Sequence, residues 1–225
     1  MIRAYTTRRR FLTQSVAAGA AAFLAGRSGV ARANQQPTTN PAIEQARAAA
    51  LAVLKPSQKD LEHGLALHAS STVFDAYGFS PNAAVDGDVL ARAVADGASD
   101  IELQDLTEDH RMTRYVTDVA ERAEYLAAWQ ASGVTCVFQN AGEEGSDPMR
   151  LLKRLARFTY ATDYLKESVF KAVGPDDIEA AKQQGRRCLY FSGNGVPLAG
   201  DQFSVNDELR YVRTFFELGI RMMHV

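Results

Sequence analysis

Arg187-Cys-Leu-Tyr-Phe-Ser-Gly-Asn-Gly-Val-Pro197 decides the fold. Cys188 to Ser192 is a short apolar run, and the Gly/Asn/Pro cluster that stops it marks a buried strand running into a loop. Working outward, a helical pattern starts at Ser204. Leu209, Val212, Phe215 and Phe216 fall on one face, and Gly219 stands where a C-terminal cap belongs. Ile220 to Val225 then opens a second apolar strand. Strand, helix and strand with short links form a βαβ unit, so the two strands are expected to be parallel.

The same alternation extends upstream. Thr72-Val-Phe-Asp-Ala-Tyr77 and Val134-Thr-Cys-Val-Phe138 are β-branched and aromatic strands. Helices are expected over Ala42–Leu54, from Pro56 to about Ala69, over Arg114–Ser132, from Asp147 onward, and from Pro175 to Gly185. The Arg114–Ser132 helix is read with Val116, Val119, Ala123 and Leu126 on its inner face. Residues 82–109 read as loop with one helix near Val89–Ala95. Parallel strands beginning near residues 72, 134, 188 and 220 predict an α/β fold, and a doubly wound sheet and a (β/α)8 barrel look alike at this level.

The N-terminus reads as an export signal. Thr7-Arg-Arg-Arg-Phe-Leu12 resembles the twin-arginine pattern, Val16–Ala25 is apolar, and Ala31-Arg-Ala33 offers small residues for cleavage. The expected organisation is therefore a signal over 1–33, a polar linker over 34–41 and a folded part over 42–225, in a periplasmic or secreted protein. The apolar core of the signal is too short for a span, which needs about 20 residues, so no membrane span is expected. The signal carries six arginines and no acid, so cleavage takes the mature charge well below the −2 of the full sequence. An acidic chain argues against nucleic acid as a partner. Lys153, Arg154 and Arg157 form a basic cluster, read as a solvated helix face. Cys136 and Cys188 fall inside strands and read as packed free thiols rather than a disulfide.

Few motifs carry chemistry. Gly193-Asn-Gly195 lacks the G-x-G-x-x-G spacing, and Pro197 falls where the phosphate-binding helix would open. G-x-S-x-G is absent around Ser192. His63, His68 and His110 stand apart from carboxylates at ligand spacing, and His224 reads as a core histidine. Asp75 is the candidate that stands out, because an acid at the C-terminal end of an apolar strand is costly to bury alone. Sites in parallel α/β folds form at that end. Asn140 and Asn194 occupy the equivalent ends of the next two strands, so the three are expected to line one pocket.

Val173-Gly-Pro-Asp-Asp-Ile-Glu-Ala-Ala-Lys-Gln-Gln-Gly-Arg-Arg-Cys-Leu-Tyr-Phe191, Asp207–Met223 and Val73-Phe-Asp-Ala-Tyr-Gly-Phe-Ser-Pro81 together resemble the membrane (renal) dipeptidases. These are zinc metallopeptidases on an amidohydrolase-like (β/α)8 barrel. The likeness covers roughly residues 60–225. It implies a barrel of which only the first four or so β/α units are present, preceded by the signal and N-terminal helices. It also implies a hydrolase that cleaves small peptides with a metal-activated water. The family's His-x-Asp metal pair aligns with Tyr77 and Phe79, neither a good zinc ligand, and its bridging Glu falls near Gly193 or Asn194. No zinc ligand carries over onto a residue of this chain. The expectation is the N-terminal half of a dipeptidase-like barrel, inactive as it stands, with unpaired sheet edges that favour a homo-oligomer. The alternative is a non-catalytic barrel that holds a ligand between Asp75, Tyr77, Asn140 and Asn194.

Overall fold

The computed structural model describes residues 40–142, 148–195 and 204–223, without the side chains of 207 and 208. The signal, most of the linker, Glu143, Glu144 and His224 lie outside the described residues. Two helices, α1 (Pro41–Leu54) and α2 (Gln58–Ser70), come first and bury no residue. Then follow β1 (Phe74–Gly78), α3 (Gly87–Ala95), α4 (Asp100–Thr117), α5 (Val119–Ser132), β2 (Cys136–Asn140) and α6 (Pro148–Tyr164). The chain continues through β3 (Val169–Ala172), α7 (Pro175–Gln183), β4 (Arg187–Gly193), α8 (Val205–Glu217) and β5 (Met222–Met223). No helix among the described residues is long and apolar enough to cross a membrane.

All strand pairs are parallel. β1 pairs with β2, β2 with β4, and β4 with β5, so these four strands lie side by side in chain order. Sequential order is the winding of a (β/α)8 barrel, whereas a doubly wound sheet reverses its order midway. The expected α/β class with a parallel sheet is what the chain adopts. The strand the sequence reading lacked is β3, which pairs with Arg187–Tyr190 of β4 while β5 pairs with Ser192 and Gly193. Four residues, Val-Phe-Lys-Ala, buried at both ends and half-buried between, are too short and too mixed to show a period.

Alternation along β2 and β4 sorts the core into two faces. Val137, Leu189 and Phe191 face one cluster with Tyr115 and Val116 of α4, Tyr125 and Trp129 of α5, and Leu155 and Phe158 of α6. Cys136 and Cys188 face the other with Ile178 and Ala181 of α7. The helices between β1 and β2, α6 and α8 therefore cover one face, and α7 returns across the opposite one.

Two helix readings need correction. Residues 100–109, expected as loop, are the first part of the helix Asp100–Thr117. Ser99 and Glu102 make a capping box, with the Ser99 N–H donating to Glu102 Oε2 (2.8 Å) and the Glu102 N–H to Ser99 Oγ (3.4 Å). The acids that looked like loop composition line one side of this helix. The expected long helix 114–132 is two helices, broken at Asp118, whose carboxylate accepts from the Ala120 and Glu121 N–H groups (2.8 and 3.1 Å). The break resets the helical phase, so Val119 is exposed while Tyr125 and Trp129 are buried. Tyr125 stacks on Tyr115 with centroids 4.0 Å apart, and burial pushes its hydroxyl up to about 12. Gly133 and Gly219 end α5 and α8 at φ 66° and 113°, a backbone region that penalises any side chain.

Cys136 and Cys188 sit directly opposite each other on β2 and β4, fully buried and free. The Cys188 Sγ donates to the Thr135 carbonyl at 3.7 Å. The hydrogen bond shared with Cys136, and then burial, push the Cys188 thiol up, away from the reactive thiolate. The expected result is no labelling of the native protein by a thiol reagent at neutral pH and both thiols reacting after denaturation. Fast native labelling, or fewer than two thiols in denaturant without reductant, would contradict this packing.

Candidate functional site

Tyr77, Asn140 and Asn194 sit at or just past the C-terminal ends of β1, β2 and β4, whereas Asp75, expected there, is the second residue of β1, in register with Val137 near the start of β2. Tyr77 follows a register shift in β1 between Asp75 and Gly78. Its hydroxyl donates to Asn194 Oδ1 at 2.8 Å, which ties the end of β1 to the loop after β4. Asp75 is exposed and turns back on its own strand. Its Oδ1 accepts from the Tyr77 N–H at 3.3 Å, and a Cβ at Gly78 would collide with its carboxylate. A side chain there would oblige the exposed Asp75 carboxylate to swing away.

Asn140 is buried and serves its own turn, accepting from the Gly142 N–H at 3.1 Å. The neighbouring Gln139 accepts from the Ser80 N–H (2.6 Å) and donates to the Asn140 carbonyl (3.0 Å). The structure thus brings Tyr77 and Asn194 together but engages Asp75 and Asn140 in local turns. One residue at this end was weighed in the sequence only as a nucleophile and set aside. Ser192 is fully buried, opposite Asn140 in register, and its hydroxyl has no hydrogen-bond partner among the described residues. A buried hydroxyl left unpaired costs about 1–3 kcal/mol.

A second concave feature was not legible in the sequence. A cavity of about 550 Å³ lies between α3, α4, α6 and the ends of β1 and β2, with Asn140 and Phe79 on its wall. Glu108 on α4 forms one side. It is nearly buried and accepts from Arg150 (2.5 Å), Arg154 (3.0 Å) and Arg157 (3.1 Å) of α6. Asp105 pairs with Lys153 and Asp109 with Arg157. The basic cluster on α6 is therefore not a solvated face: it clamps α6 to α4. The signal was present as two complementary stripes, acids at 105, 108 and 109 and cations at 150, 153, 154 and 157, each at helical spacing. Burial would raise the Glu108 carboxyl, but the hydrogen bonds from Arg154 and Arg150 outweigh it and hold it below the usual carboxylate range.

Zinc, implied by the dipeptidase resemblance, does not fit these side chains. Among the described residues no group of three His, Cys, Asp or Glu side chains could hold a metal ion. Tyr77 is spent on Asn194, and Phe79 offers no donor. His68 lies against Gly133, and His110 Nδ1 accepts from the Asp86 N–H at 3.1 Å.

No family model matches the sequence, and no curated protein matches it. Among solved structures, the chain is similar to an amidohydrolase from Pseudomonas aeruginosa at 15% identity and a TM-score of 0.39. That alignment covers 71% of this chain and 35% of the amidohydrolase, so the chain spans about a third of that protein's length.

Proposed function

We propose that this chain is the ligand-holding part of an exported, dipeptidase-like hydrolase that takes a small peptide at the C-terminal ends of its parallel strands. The observation that carries the reading is the junction of β1 and β4. There the Tyr77 hydroxyl meets Asn194 two residues beyond the Ser192 hydroxyl, which has no partner among the described residues. Neutral amide and hydroxyl groups hydrogen-bond peptide amides without the desolvation cost of charges. The dipeptidase resemblance supplies the substrate class, and the reading assigns these residues to binding and orientation only.

A second reading, a barrel that binds peptides without cleaving them, is favoured by Tyr77 and Phe79 at the His-x-Asp positions. One experiment separates the two. The whole protein is assayed for hydrolysis of a dipeptide panel and its bound metal is measured, and the same dipeptides are tested for melting shifts. Turnover that weakens roughly 3- to 10-fold in kcat/KM on Tyr77→Phe, the worth of one hydrogen bond, supports the hydrolase. A dipeptide-dependent shift without turnover supports the binding barrel. Neither turnover nor shift overturns both.

A further inference from the structure

We propose that the cavity between α3, α4 and α6 binds a small organic carboxylate bearing an apolar group, with Arg111 as the anchor. The proposal is independent of the strand-end reading above.

The anchor is set by the backbone. The Ala83 N–H donates to the Arg111 carbonyl at 2.9 Å, which fastens the loop after β1 to α4 and puts Asn82 beside Arg111 on the cavity wall. The Arg111 guanidinium and the Asn82 amide have no hydrogen bond or ion pair among the described residues. An exposed, unpaired arginine is ordinary by itself. Here it shares a concave wall with Arg150 and Arg154, and among the described residues the only acid on that lining is Glu108. Asp105 and Asp109, which pair with Lys153 and Arg157, are not on the lining. A positive, partly enclosed surface concentrates field on a small anion, and a guanidinium fork matches a carboxylate.

The remaining wall explains the apolar group. Leu90, Val94, Leu103 and Met112 line it, with Phe79 at the strand end. Val94 and Phe79 are 57% and 63% exposed, unusual for large apolar side chains inside a concave site. A cavity of about 550 Å³ is within the usual ligand range of roughly 300–1,000 Å³. Inorganic phosphate would satisfy the guanidinium and leave this wall wet, whereas a carboxylate on a branched alkyl group satisfies both.

The test is calorimetric titration of the whole protein with N-acetyl-leucine, N-acetyl-leucinamide and inorganic phosphate, on wild type, Arg111→Gln and Tyr77→Phe. N-acetyl-leucine is expected to bind, with the amide and phosphate each at least tenfold weaker. Arg111→Gln should weaken the acid by ten- to a hundredfold, the worth of a charged hydrogen bond. Its melting temperature without ligand should not change, since its side chain pairs with none of the described residues. Tyr77→Phe should leave the affinity alone, which separates this cavity from the strand-end site. Equal binding of acid and amide, phosphate binding as tightly as the acid, an Arg111→Gln affinity like wild type, or no binding at millimolar ligand would each overturn the proposal.

Discussion

Glu108→Ala is expected to destabilise the fold by about 3–5 kcal/mol, the cost of removing one partner from a buried ion pair. Glu108 is 8% exposed and takes hydrogen bonds from Arg150, Arg154 and Arg157. Without it, three guanidiniums crowd one another between α4 and α6. At about 2–4 °C per kcal/mol for a chain of this size, the melting temperature should fall by roughly 6–20 °C. A loss under 1 kcal/mol would mean that the network is a solvated surface, as the sequence reading had it.

The pH dependence follows from the lowered Glu108 carboxyl. A carboxyl held below its unfolded value contributes stability that is present above that unfolded value, about 4.3, and is lost as pH falls through the folded one. Stability from this group should therefore hold from pH 7 to about 5 and fall below about 4. Glu108→Gln should flatten its share of that acid limb, and urea midpoints measured across the range would show it.

Phe191→Ala is the second large effect, at about 3–5 kcal/mol. Phe191 is fully buried in β4, its ring 5.6 Å from that of Phe158 on α6, with Lys171 Nζ 6.0 Å from its centroid. Gly219 closes the site, since a Cβ there would lie 3.5 Å from Phe191 Cδ2. Truncation leaves a cavity bounded by strand and helix backbone that has little room to collapse. Phe74→Ala is the control, on β1, where the ring touches Phe138 at 6.0 Å and is 51% exposed. It should cost under about 1.5 kcal/mol, because a half-exposed ring has less apolar area to lose. Denaturant midpoints at unchanged m-value would compare them. Equal losses would contradict a core on the Phe191 face.

Much of the fold was legible because period and punctuation are local. Apolar runs ending at Gly78, Asn140 and Gly193 announced β1, β2 and β4, and Gly133, Gly185 and Gly219 stopped their helices as expected. What failed also had local causes. The apolar spacing of 112–132 runs on through Asp118, and only the choice of that carboxylate to cap a new helix breaks it. The acids of α4 looked like loop because their partners lie more than 40 residues away on α6. The candidate site was legible by position alone. Tyr77 and Asn194 meet, but spacing could not say that Asn140 would be spent on Gly142 or that Ser192 would find no partner among the described residues.

By itself the sequence determined the class of the fold, because strands that are apolar throughout and joined by amphipathic helices have no arrangement but a parallel sheet covered by helix. It also placed Tyr77, Asn140 and Asn194 at the strand ends, though it misplaced Asp75, which lies near the start of β1. Only the tertiary structure decided which of those residues touch, that β3 shares the edge of β4 with β5, and that Arg111 looks into a cavity. Those outcomes depend on distances between residues far apart in the chain, and no local pattern carries that information.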